Sequence, residues 1–566
     1  MAKLLTSCLF TIVFLALDFG HQAYAVPYDY RFNPKCLAKP EEAHYGRGIV
    51  VNPELNLGLK GWTIFGDAKV EHKKSEDGNK YIVASSRSRT LDSFTKFNLE
   101  KDKLYVFSAW LRVSQGNAHI AAKFKTKNGD ETAGWVMAKK GCWSMVKGGI
   151  FVNSSVPAQL YLETEDTSIH IMADSISLQP FTHEEWKSHQ DQSIEKIKAC
   201  IRKSKVKFQA VDQHGRALVN AAITIKQNLP GFPLGCKMNP LVLDDAAYQK
   251  WFTPRFKYMV FENELKWYIN EPSRGKKDYG PADAMLRFAQ ANNIHVRGHN
   301  IFWNNPKLQP NWVGEVLTDD LRIVTDHRIH YVMSKYRGHM IHWDVVNENL
   351  HYSFFEGKLG ANASTTFYKK TNQIDGNTIP FLNDFDTIEK SGGLASPAKY
   401  LEKSVKLEKK GHFTVPNLPY IRASLDQLSS ANLPIWLTEL DVDSRPYQIL
   451  RELHAHAGVQ GIMIWGAWTP TGCYRMCLTD NHFRNLPTGD VVDKLLSEWG
   501  HAARLKGTTD SNGHFETSLF HGEYQARVGH PSPLKSTNNL KRFNVISMPE
   551  VDRGKIHVKI QAGINK

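Results

Sequence analysis

The sequence predicts a multidomain chain: an N-terminal β-sandwich, a (β/α)8 TIM barrel and a small C-terminal β unit. Three observations predict it. At 566 residues the chain is longer than the ~100–200 residues of one ordinary domain. Short alternating segments with Gly and Asn turns over residues 45–182 give way, across residues 231–500, to apolar strand-like runs separated by helical periodicity. Glu262, His299, Glu348, Glu439 and Trp465 each stand at or just after the end of such a run, where a barrel of parallel strands builds its chemistry.

Residues 1–25 read as a secretory signal. Lys3 supplies the positive start, Leu4 to Leu17 the apolar stretch, and Ala23-Tyr24-Ala25 the small-residue cleavage site. The apolar stretch is short for a membrane span. The expectation is a secreted, extracellular cell-wall protein with no membrane partner. Cys8 leaves with the signal; Cys36, Cys142, Cys200, Cys236, Cys473 and Cys477 remain. Spacing alone does not choose among their pairings, although Cys473 and Cys477 are close enough for a local disulfide. No second Cys/His pair stands at finger-like spacing, so no metal and no cofactor are expected. Asn153 and Asn362 open Asn-x-Ser sequons and are candidate glycan acceptors.

The formal charge of +14 admits nucleic acid or acidic polymers as partners. A secretory signal and scattered Lys and Arg argue against nucleic acid and for a solvated basic surface. With 42% hydrophobic residues the chain can build cores. Its 14 Trp and 20 Tyr supply more aromatic faces than packing alone needs, although about half of the Trp suit ordinary cores.

In the 45–182 region, Tyr105 to Trp110 and Gln159 to Glu163 are strand-like, and Lys127-Asn128-Gly129-Asp130 is a turn signal. Tyr161 and Glu163 stand two apart, so on a strand they share a face. That suits sugar stacking plus a hydroxyl acceptor, and equally a buried Tyr beside a surface Glu. Residues 183–230 read as a linker: a charged helix over 184–204, then a short β piece over 206–226 with a turn at 213–215. In the barrel, strands are expected at 233–239, 258–262, 294–299, 341–348, 380–384, 435–439 and 461–465. The sixth of eight is missing: a helix over 396–409 runs straight into Lys410-Gly411-His412-Phe413. Residues 501–566 return to short strands that could pair with 206–226. No long repeat or low-complexity tract occurs.

Cleaving a glycosidic bond takes two carboxyl groups, one to protonate the leaving oxygen and one to attack or to activate water. Glu348 closes Trp343-Asp344-Val345-Val346-Asn347-Glu348, and Glu439 closes Ile435-Trp436-Leu437-Thr438-Glu439 before Leu440-Asp441-Val442. With Glu262-Asn263-Glu264-Leu265-Lys266-Trp267, Arg297 to Trp303, and Gly461 to Trp465, these motifs resemble a glycoside hydrolase family 10 xylanase of the plant multidomain kind over residues 231–500. The resemblance implies a retaining endo-1,4-β-xylanase acting on xylan, with Glu348 as general acid/base and Glu439 as nucleophile. It implies that Asn347 holds the sugar 2-hydroxyl and that Glu262, Asn263, Lys266, His299 and Trp303 line the glycone subsites. His412 would position the nucleophile and Trp465 would form an aromatic wall. Residues 45–182 resemble a family 22 carbohydrate-binding module, which makes Tyr161 and Glu163 ligand candidates.

Three departures stand against the family pattern. The strand-six region is short and its Gln cannot be assigned, Asn304 replaces a common His, and the segment after Trp468 lacks a further aromatic. The alternative is therefore a catalytically inactive xylan-binding wall protein. A third reading is a transglycosylase, which differs only in what accepts the sugar. The expected assembly is a monomer.

Overall fold

The computed structural model describes residues 26–64, 69–85, 93–390, 395–403, 407–413, 416–442, 446–501, 503–529, 540–547 and 555–561. The expected signal at 1–25 lies outside the described residues. Among those described, no helix is long and apolar enough to cross a membrane.

The N-terminal region forms two antiparallel sheets. One has five strands in the order Lys69–Lys74, Lys80–Ser85, Ile171–Phe181, Leu104–Val113 and Ser144–Phe151. The other has four, in the order Ser93–Leu99, Val156–Glu163, Asn117–Thr126 and Gly129–Lys139. Alternation puts Ala118, Ile120, Ala122 and Phe124 of one strand into a core shared with Phe107, Leu111 and Leu178 of the facing sheet. The Leu104–Val113 strand is buried on both faces. Its Tyr105, Phe107 and Leu111 fill this core, whereas Leu104 and Val106 join the barrel's outer core. A Cys36–Cys142 disulfide ties the leading segment to this region.

Both faces are covered because the barrel helix Leu418–Ser429 packs on this sheet, and that helix is buried from Leu418 to Leu428. A helix buried all round must satisfy its polar side chains internally. Arg422 pairs with Glu452. Asp426 Oδ2 accepts from Lys147 Nζ at 2.7 Å and from the Tyr28 hydroxyl at 2.8 Å. Gln427 donates to the Lys147 carbonyl at 2.6 Å.

Eight parallel strands form the barrel: β1 Leu234–Met238, β2 Tyr258–Phe261, β3 His295–Gly298, β4 Met340–Asn347, β5 Ile379–Asp384, β6 Leu407–Phe413, β7 Ile435–Val442 and β8 Val459–Ile464. Each pairs with the next, and β8 returns to β1 with Leu234 opposite Ile462. Alternate residues point inward and outward. Tyr258, Val260, Phe381, Trp436 and Met463 pack together inside, while Met259, Phe261 and Leu437 join the layer under the helices.

The structure corrects the expected gap at strand six. Leu407–Phe413 occupies that place, with Leu382 opposite Leu407 on one side and Phe413 opposite Val442 on the other. The helix expected over 396–409 ends earlier, at Lys403. The segment is polar and carries no apolar run, so local pattern hid it. Two open ladder edges, on β5 and β7, outweigh its weak intrinsic preference.

Residues 183–230 are more than a linker. After the helix His183–Ile197, the strand Lys203–Val211 pairs with His514–Phe520 and Ile556–Gln561. Ala222–Pro230 pairs with Arg504–Thr508 and Gly522–Gly529. These strands share a third core that includes Val206, Phe208, Ile225 and Val528.

Proline at position 408 would remove a ladder donor, because Glu408 stands opposite Asn383 on one side and Trp436 on the other. Glu408→Pro is expected to destabilise the chain by about 3 kcal/mol or more, read from the chemical denaturation midpoint. An unchanged midpoint would mean that 407–413 is not a ladder strand.

Candidate active site

Seven of the eight strands deliver a chemistry-bearing residue at or near their C-terminal ends: Lys237, Glu262, His299, Glu348, Asn383, Glu439 and Trp465. Two of these strands carry an extra residue just before their glutamate. In β4 the register shifts between Asp344 and Val346, and in the β6–β7 ladder it shifts opposite Thr438. A bulge re-aims the side chains that follow it, and here those side chains are Glu348 and Glu439.

Glu348 follows β4 with φ +58°. A non-glycine residue in the left-handed region costs roughly 1–2 kcal/mol, so neighbours must hold it. Its N–H donates to the Asn383 carbonyl at 2.7 Å, and its own carbonyl accepts from Tyr352 N–H at 3.0 Å. Its carboxylate Oε2 accepts from Trp303 Nε1 at 2.6 Å. Glu439 lies within the ladder of β7. Its Oε1 accepts from Asn383 Nδ2 at 2.8 Å and stands 3.9 Å from His299 Nε2. The two glutamates are 7% and 3% exposed.

Asn383 therefore touches both glutamates, one through its backbone and one through its amide. The same Nδ2 reaches Asn347 Oδ1 at 3.0 Å, and Thr438 Oγ1 donates to Asn383 Oδ1 at 2.9 Å. Below it, Asp344 is fully buried, paired with Arg297 and 2.6 Å from His299 Nδ1. His299 is thereby oriented by a carboxylate on one nitrogen and faces Glu439 with the other.

The expected subsite residues join this network. Lys266 Nζ donates to Asn263 Oδ1 at 2.9 Å and sits 4.7 Å from the Trp303 ring centre. Lys237 Nζ donates to Glu262 Oε1 at 2.7 Å and sits 5.4 Å from the Trp465 ring. The His299 ring lies 5.5 Å from Trp465 and 6.3 Å from Trp303. His412 stands opposite Asp441 in the β6–β7 ladder; its side chain lies outside the described residues.

Other expected residues fall elsewhere. Tyr161 and Glu163 share the outer face of the four-stranded N-terminal sheet, but the Tyr161 ring is only 3% exposed and its hydroxyl donates to Asp130 at 2.8 Å. Glu163 pairs with Lys123. Asn153 and Asn362 are exposed. Cys473 and Cys477 are joined as a local disulfide, and Cys236 is a buried thiol. Among the described residues no cluster of three metal-ligating side chains occurs.

Sequence reading missed Asn383, Asp344, Arg297 and Lys237. A signal existed: each is a polar residue inside or closing an apolar strand run, where burial demands a partner. The site brings two buried carboxylates onto one asparagine, with an indole donor on one and an amide donor on the other. That arrangement suits proton transfer paired with nucleophilic attack.

The family model described as Glycosyl hydrolase family 10 matches residues 225–469. The endo-1,4-beta-xylanase 5-like protein of Arabidopsis thaliana is 38% identical over 553 residues, covering 93% of this chain and 93% of that one. Endo-1,4-beta-xylanase 5 of the same plant is 41% identical over 510 residues, covering 85% and 88%. The crystal structure of xylanase 10B from Thermotoga petrophila in complex with xylobiose aligns at 22% identity and TM-score 0.42, covering 47% of this chain and 94% of that one.

Asn383→Ala would leave several buried partners short of a hydrogen bond. The expected cost is about 1–3 kcal/mol of folding stability, read as a lower denaturant midpoint with an unchanged m-value. A variant as stable as the parent would mean that Asn383 is not the shared anchor.

Proposed function

This chain belongs to glycosyl hydrolase family 10, and we propose that it is a secreted, retaining endo-1,4-β-xylanase that cleaves internal bonds of cell-wall xylan by double displacement. The observation that carries the reading is Asn383, which binds Glu348 through its carbonyl and Glu439 through its amide at the mouth of the barrel. In the first step Glu348 gives its proton to the departing glycosidic oxygen while Glu439 attacks the anomeric carbon. A glycosyl–enzyme ester forms and the leaving chain departs with the proton. In the second step Glu348 takes a proton from water, whose oxygen attacks the same carbon and releases Glu439.

The surrounding groups support these roles. Asn347 Oδ1 accepts from Asn383, while its Nδ2 meets no partner among the described residues. That donor is available to a sugar 2-hydroxyl beside the nucleophile. Trp303 and Trp465 offer rings for pyranose faces, and Lys266 and Lys237 hold the polar rim. The alternative, an inactive xylan-binding wall protein, rested on an empty sixth strand position and loses that support. Transfer to a sugar in place of water would use the same residues.

The two-sheet N-terminal region is proposed as a xylan-binding module of the family 22 kind. Its candidate face is the expected one with another aromatic residue, because Tyr161 is buried. Ala121 stands opposite Trp135 on one side and Glu163 on the other. The half-buried indole and the carboxylate thus share one cross-strand row.

The test is release of xylo-oligosaccharides from glucuronoxylan by the purified chain. Glu348→Ala is expected to lower kcat by roughly a hundredfold to ten-thousandfold, and Glu439→Ala to abolish turnover. Asn383→Ala should lower kcat by roughly a hundredfold with KM little changed. Freshly released reducing ends should carry the β configuration by NMR. Inverted product would refute the role given to Glu439, and a parent chain that binds xylan but releases nothing would favour the binding protein.

A further inference from the structure

At the opposite end of the barrel from the two glutamates, the floor of the barrel and the C-terminal strands enclose a cavity of about 400 Å³. Phe232 just before β1, Val459 at the start of β8 and Trp499 form the barrel side, and His521 with its neighbours closes the other. The lining is mostly apolar, yet it contains Arg202, which is only 8% exposed. Arg202 Nη2 donates to the Val459 carbonyl at 3.3 Å, and the guanidinium lies 4.0 Å from the Phe232 ring centre. Its Nη1 meets no partner among the described residues. Burial alone pushes the guanidinium down to about 9, and no carboxylate contributes to the shift.

Among the described residues, the other titratable groups around the cavity do not balance this charge. His454 stacks on Trp499 at 4.0 Å, and neither ring nitrogen meets a partner among the described residues. His521 Nε2 lies 3.1 Å from Ser204 Oγ, and His501 Nε2 is without a described partner. Burial lowers all three imidazoles, so they stay neutral. Lys198 and Arg451 add positive charge from further off, and Arg451 is already paired with Asp191 and Glu498. A buried cation without a counter-charge is unfavourable, and the space beside it is large enough for a small molecule, whose sites span roughly 300–1,000 Å³.

We propose that this cavity binds a small organic monocarboxylate with an apolar, ring-sized body, its carboxylate on Arg202 and its body against Phe232 and Trp499. Guanidinium geometry matches a carboxylate, and the apolar walls match a hydrocarbon or aromatic body. A bare phosphate fits less well, because one guanidinium and neutral imidazoles offer it too few charged donors. The occupant does not compete with a polysaccharide at the barrel mouth.

The full chain is titrated calorimetrically with cinnamate, cinnamyl alcohol and inorganic phosphate. Saturable binding is expected for cinnamate, with the alcohol and phosphate at least about tenfold weaker. Arg202→Met should weaken cinnamate by at least about tenfold while leaving xylan turnover unchanged. The proposal is overturned by absence of cinnamate binding up to about 10 mM, the weak end of specific affinity, by phosphate or the alcohol binding as tightly, or by full affinity in a folded Arg202→Met chain. Should that variant fail to fold, the contrast between cinnamate and cinnamyl alcohol on the parent chain decides.

Discussion

Closure of the parallel ladder is the constraint on which the rest depends. Eight strands must pair all round, because an open edge in a buried sheet strands backbone donors and acceptors. The weakest claimant by sequence, Leu407–Phe413, fills the gap between β5 and β7. Neighbouring strands lie about 4.8 Å apart, so one strand more or less would move β7 by that amount relative to β5. The Asn383 amide bonds the Glu439 carboxylate at 2.8 Å across that intervening strand. Ladder and site are thus one problem. β6 sets the spacing, and the spacing lets one asparagine touch both glutamates.

The same sector of the barrel is braced from outside. The helix that follows β6 is buried between the barrel and the N-terminal sheets, and Asp426 on it faces Lys147, His456 and Tyr28. Burial by itself would raise the Asp426 carboxyl, but the Lys147 charge and the His456 hydrogen bond outweigh it and hold the group below its usual range. Such a pair adds little net stability against an apolar alternative. It does penalise any other docking of the two bodies, since a slip would leave a buried charge alone. The N-terminal region thereby packs as a wall of the barrel sector whose own strand is polar and short.

Much of this was legible in the sequence. Seven barrel strands show as apolar runs, and both glutamates stand at or near the ends of such runs. The parts that escaped share a cause: their structure is decided by partners far away in sequence. β6 is polar and becomes a strand only because β5 and β7 offer it a place. The strands within 203–230 read as a linker able to pair with strands beyond residue 500, and they do pair there; what escaped is that the two sets enclose a core of their own. Asn383 and Asp344 look like interruptions of apolar runs until the register brings them beside Glu439, Asn347 and His299. Tyr161 failed in the opposite sense. Strand alternation puts it on one face with Glu163, but only the fold shows that Tyr161 is buried there with its hydroxyl on Asp130.

The two carboxylates are held in different ways, and the difference fits the proposed division of labour. Glu439 sits within the β7 strand, beside a bulge, with an amide donor on its oxygen and an oriented imidazole nearby. A group that must meet one carbon atom along one line benefits from such rigidity. Glu348 sits past the end of its strand in a left-handed conformation, held through its backbone and by one indole donor. A group that gives a proton to one oxygen and later takes one from another needs reach more than a single fixed line. Backbone strain persists only where the surroundings over-determine it. Here the overdetermination comes from Asn383, whose carbonyl fixes the strained residue while its amide fixes the nucleophile. Any shift in one carboxylate is thereby felt at the other, so the pair behaves as one unit despite lying three strands apart.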